Sequence, residues 1–136
     1  MGLPEKRMVA TCQGQLEGWK KKVNDVASYE LKFEVASWEA LVKEGFLDSY
    51  PATIDHNFFA PLEVALKAIC SDQMGKDALK AKIKTVRISS DRPWSSLDAN
   101  VEGDVLKLDA DPSYQRDGTA LSDYATRIQT ALEKAL

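Results

Sequence analysis

The repeat distance of the apolar residues changes at Tyr29. Up to Val26 they recur as Met8, Cys12, Leu16, Trp19, Val23 and Val26, in steps of four, four, three, four and three that trace one face of a helix. From there Tyr29, Leu31, Phe33 and Val35 alternate with Glu30, Lys32 and Glu34, the two-residue repeat of a half-buried strand. A chain carrying both periods must lay the apolar stripe of its helices on the apolar side of a sheet.

The remaining segments extend that pattern. Ser37 is placed to cap a short helix containing Trp38, Leu41 and Val42, and Gly45 to end it. The stretch from Phe46 to Asn57 holds Pro51 and several turn formers and reads as a loop. Helical spacing returns from Asn57 to Ser71 through Phe58, Leu62, Ala65, Leu66, Ile69 and Cys70, with Pro61 in the first turn, where its missing amide costs least. Gly75 interrupts, and a short helix follows from Lys76 to Ile83. Lys84 to Ser90 reads as a strand. Leu97, Ala99 and Val101 then alternate, Glu102-Gly103-Asp104 supplies a turn, and Val105 to Asp109 completes a hairpin. A last helix presents Leu121, Tyr124, Ala125, Ile128 and Leu132 on one side.

Because each strand keeps a polar side, the expected class is α+β, a small antiparallel sheet of three to four strands covered by several helices. With 136 residues, 44% of them apolar, the chain forms a single compact domain spanning 1–136. Met1 to Ala10 lacks an apolar signal core, so the expected location is cytoplasmic, or exported if a leader has been removed. No run of residues is long and apolar enough for a membrane helix.

Charge is uneven along the chain. Lys76 to Arg92 holds six basic and two acidic residues, and Asp98 to Asp117 six acidic and two basic, within a formal net charge of -3. Lys76, Lys80, Lys82, Lys84 and Arg87 carry no interleaved aromatics, so the basic run reads as a solvated face and nucleic acid is not the expected partner.

Candidate chemistry is sparse. His56 is the one histidine, beside Asp55 and Asn57, and with a carboxylate could serve as a base. Asp98, Asn100, Glu102, Gly103, Asp104 and Asp109 echo the oxygen order of a calcium loop, but Asp stands at its twelfth place and strands flank it, so a hairpin turn accounts for the same letters. Cys12 and Cys70 lie on apolar faces and read as buried thiols, the alternative being one disulfide between packed helices. Nothing in the chain calls for a cofactor or a metal.

These features favour a non-catalytic protein-binding or interaction module, of inhibitor or immunity type, over an enzyme. Its expected contact surface joins Trp94, held by Pro93 on a loop, to the acidic stretch through Asp98, Asp111 and Tyr114. The alternatives are a small hydrolase using carboxylates with His56, and a pocket for an apolar small molecule lined by Trp38, Phe58 and Phe59. The expected partner is another protein, and the edge at Tyr29 to Val35 leaves room for a homodimer.

Overall fold

A computed structural model describes residues 2–92, 96–113 and 118–136, the last segment without the side chains of 118–120. Helix α1 (Leu3–Ala27) buries Cys12, Leu16 and Val23 of the helical stripe, together with Ala27. Ser28 ends it in the left-handed region (φ 67°), with its amide bonded to Asn24 O.

Strand β1 (Lys32–Val35) starts three residues later than the alternation suggests. The Leu31 amide is taken by Asn24 Oδ1 at 3.0 Å. Tyr29 reaches across to the end of a later helix, Gln73–Lys82, donating its hydroxyl to Ile83 O at 2.6 Å. Tyr29 and Leu31 therefore fasten α1 to its neighbours, and their alternation reports burial without sheet pairing.

Ser37 caps α2 (Trp38–Leu41) by accepting the Ala40 amide. A 3-10 turn, Glu44–Ser49, follows. The expected loop then gives way to helix earlier than Asn57: α3 (Ala52–Ile54), a π-helical turn Asp55–Phe59 and α4 (Ala60–Ile69) run on with helical backbone throughout. In the π turn the Ala60 amide bonds to Asp55 O. This widening carries the chain past Pro61, which has no amide to donate and whose ring would crowd a regular helical turn. Helix α5 (Gln73–Lys82) leads into the second half of the sheet.

Strands β2 (Thr85–Ser89), β3 (Asp98–Glu102) and β4 (Val105–Asp109) complete a four-stranded sheet in the order β1-β2-β4-β3, followed by α6 (Gly118–Ala135). The expected α+β class, a small helix-covered sheet, is what forms. Its pairing is mixed where an antiparallel sheet was expected: β3 and β4 form the antiparallel hairpin, while β1–β2 and β2–β4 are parallel. The long helical crossover returns the chain to the end where β1 began, so β2 must run the same way. At the hairpin, Gly103 takes φ 62°, a conformation that favours glycine.

Among the described residues, the helices stack on one side of the sheet. Val86 and Ile88 of β2 and Leu106 and Leu108 of β4 are each at most 1% exposed, while Arg87 between them is open to solvent. The apolar side meets α4, α6 and α1, which with the π turn supply Phe58, Leu62, Leu66, Ile128, Leu132 and Val23 to one contiguous core. Phe59 stacks on Trp19 with ring centroids 5.7 Å apart. Among the described residues, no helix is long and apolar enough to cross a membrane.

Gly14 and Gly18 sit inside α1, and a Cβ added at either would have no neighbouring atom within 4 Å, so they lower helix propensity without serving a close approach. Gly14→Ala and Gly18→Ala are each expected to stabilise the fold by about 0.5–1 kcal/mol, read as a higher urea midpoint at unchanged slope.

Candidate functional site

The two-residue repeat that buries one side of each strand aims the other side away from the helices. Glu34, Arg87, Lys107 and Asn100 form one row across the four strands, and Ser89, Asp109 and Asp98 form the next toward the carboxyl end of the parallel strands. Arg87 Nη1 lies 3.4 Å from Glu34 Oε2, and Lys107 pairs with Glu102. The Lys107 ammonium holds the Glu102 carboxyl below the usual carboxylate range. These pairs are exposed, so they order the surface more than they stabilise the fold.

At the carboxyl end the face turns acidic. Asp98 and Asp109 are direct cross-strand partners, an opposition of like charges that works against the sheet. Asp109 Oδ1 also accepts the Asp91 amide at 3.2 Å. The small side chains of Ala36 and Ser89 leave a depression of about 450 Å³ here, bordered by Asp91, Asp98, Asp109, Arg87 and Lys107.

A second polar group lies where the chain leaves β4. Asp111 is 1% exposed. Its Oδ1 accepts the Ser113 amide at 2.8 Å and lies 3.3 Å from Lys43 Nζ, and its backbone carbonyl accepts Asn57 Nδ2 from the π turn at 3.2 Å. The Tyr50 hydroxyl accepts the Lys43 amide at 3.1 Å. Burial raises the Tyr50 phenol, partly opposed by the Lys43 amide and the neighbouring Ser113 hydroxyl. This cluster ties the segment before α3, the π turn and the residues that follow β4 together.

The expected contact surface is therefore divided. Asp98 stands exposed on the open face, and Asp111 is buried in the clamp, a correction to its expected surface role. Inside the protein it fills the demand of Lys43 and the Ser113 amide for a negative acceptor. Trp94 and Tyr114 lie outside the described residues. Arg87, Lys107, Asn100 and Glu34 were not singled out as one surface, because strand register, which lines them up, has no local signal.

His56 is exposed on the π turn rather than enclosed with a carboxylate and a third polar group. Burial raises the Asp55 carboxyl, opposed by a hydrogen bond from Trp19 and by the charges of His56 and Lys22. Phe58 and Phe59 are core residues, 0% and 3% exposed. Cys12 and Cys70 are buried free thiols, and no disulfide joins them. Burial, followed by the Asp55 charge, pushes Cys12 up to about 11. The oxygens of Asp98, Asn100 and Glu102 are strung along β3 at strand spacing, which spreads them instead of converging them. Among the described residues, no group of three or more His, Cys, Asp or Glu is arranged to hold a metal ion.

Fold and site together define an α+β protein with a mixed sheet, helices on one face and a charged, concave opposite face. Compared with protein-family models, curated proteins and solved structures, the chain finds no match.

Proposed function

We propose that the chain is a non-catalytic protein-binding module that meets its partner with the uncovered face of the sheet, at the end bordered by Asp91, Asp98 and Asp109. The observation that carries this reading is that, among the described residues, two parallel strand pairs are left open on one side. Parallel strands are ordinarily covered on both faces. The open face here is polar, so it is suited to a partner that comes and goes rather than to a missing layer of the core. Carboxylates outnumber cations on it, which favours a protein over a nucleic acid. Opposed Asp98 and Asp109 would be relieved by a cation from the partner, and such complementarity sets specificity and encounter rate. An inhibitor or immunity-type protein is the functional class this describes.

The test uses a photo-crosslinking residue at position 100 to capture the partner in the native cell. The purified partner is then titrated against wild type, Asn100→Arg and Ala81→Arg, the last on the exposed side of α5. Asn100→Arg is expected to weaken binding by about tenfold or more, with Ala81→Arg unchanged. A partner whose affinity ignores Asn100→Arg overturns the assignment.

A further inference from the structure

Strand β1 lies at the edge of the sheet, and its hydrogen bonds to β2 run through alternate residues: Lys32 N to Lys84 O at 3.0 Å and Ala36 N to Ile88 O at 2.9 Å bracket the ladder. Phe33 and Val35 therefore turn their amides and carbonyls outward. Beside them runs a groove of about 530 Å³ between β1 and α1, floored by residues 30–34 and walled by Glu17, Lys20, Lys21 and Asn24. Helix α1 stands beside this edge, and its Asn24 Oδ1 takes the Leu31 amide at 3.0 Å, so the amides that face an incoming strand are those of Phe33 and Val35.

We infer that this edge pairs with the same edge of a second copy of the chain, antiparallel and centred on Phe33. Three constraints select that arrangement. Two copies related by a two-fold axis perpendicular to the sheet must keep their helix-covered sides together, so residues directly opposite each other come from the same face. The outward-facing backbone groups must meet one another, which places Phe33 or Val35 in the bonded pairs. Of the registers that satisfy both, one sets Lys32 against Lys32 and another sets Glu34 against Glu34. The register centred on Phe33 sets Lys32 against Glu34 twice, with Phe33 facing Phe33.

Edge strands are commonly protected against pairing by charges of one sign, most often Lys. The Lys32-Phe33-Glu34 triplet does the reverse, because it is complementary to its own antiparallel copy. Phe33 also packs on Phe59, with centroids 6.4 Å apart, so a paired Phe33 would continue the core from one copy to the next. The result is a continuous eight-stranded sheet. It leaves both open faces exposed on the same side, so dimerisation is independent of whether that face binds a partner.

Sedimentation velocity over a concentration series tests the pairing. Wild type is expected to self-associate. Lys32→Glu and Glu34→Lys alone should each weaken association by about tenfold or more, since each replaces both attractive pairs with repulsive ones. An equimolar mixture of the two variants should recover the dimer, because Glu at 32 and 34 then faces Lys at 34 and 32. Glu34 also pairs with Arg87, so near-ultraviolet circular dichroism checks that Glu34→Lys is folded. If it is not, Lys32→Glu, which leaves the Glu34–Arg87 pair in place, decides the question. A wild type that stays monomeric throughout, or single variants that dimerise as well as wild type, overturns the inference.

Discussion

Asp111→Ala is expected to cost the fold about 3 kcal/mol, although the residue belongs to a segment whose composition reads as an acidic surface loop. Asp111 is 1% exposed and answers two groups with one oxygen, the Lys43 ammonium and the Ser113 amide. Removing the carboxylate leaves a half-buried cation and a buried donor without their acceptor, and each orphaned group is costly. Because the Lys43 side chain is 31% exposed it can turn partly to water, which keeps the loss at the low end for a broken buried pair. The bond from Asn57 goes to the backbone carbonyl and survives the change. Asp111→Asn retains an acceptor for Ser113 and should lose about half as much. Lys43→Met combined with Asp111→Leu should cost less than the sum of the single changes, since neither charge is then left alone. Urea unfolding measures each of these variants. A loss under about 1 kcal/mol for Asp111→Ala would mean that this contact does not hold the end of β4 to Lys43.

Gly75→Ala is expected to destabilise by about 3 kcal/mol, opposite in sign to what helix propensity alone gives. In an ordinary helix the change would help by about 1 kcal/mol. Here α5 begins shortly after α4 ends, and its first turn is drawn tight by the Asp72 carboxylate, which accepts the Gly75 amide at 2.7 Å. A Cβ on Gly75 would lie 1.7 Å from Ile69 O and 2.9 Å from Ile69 C. Both are backbone atoms and cannot swing aside as a side-chain tip can. Relief requires α5 to move away from the end of α4, disturbing the Asp72 cap and the packing of Leu79, which is 0% exposed. Measured beside Gly14→Ala, the two substitutions should shift the urea midpoint in opposite directions. A Gly75→Ala variant as stable as wild type would show that the two helices do not approach this closely.

Particular residues show why some features were legible in the sequence. The stripe through Cys12, Leu16 and Val23, the Ser37 cap and the Gly103 turn each depend on neighbours within a few positions, and each formed as their spacing implies. Pro61 shows the limit. Its presence points to a helix start, yet the π turn before it lets helical backbone begin at Ala52. Tyr29 and Leu31 show another, for they alternate as strand residues do but spend their polar groups on the end of α5 and on Asn24. The candidate site was half legible: Asp98 was singled out and does stand on the open face, whereas Asp111, further along the same acidic stretch, turns inward to Lys43.

Local periodicity decided which residues face inward and which face outward, because a side chain's direction follows from the backbone repeat around it. The direction in which strands pair, the row of Glu34, Arg87, Lys107 and Asn100, and the choice of Asp111 over its acidic neighbours as the buried partner of Lys43 were settled only by the fold. Those depend on where a crossover of about fifty residues returns the chain, and that endpoint is set by the packing of α4 between α1 and α6 rather than by any residue's near neighbours.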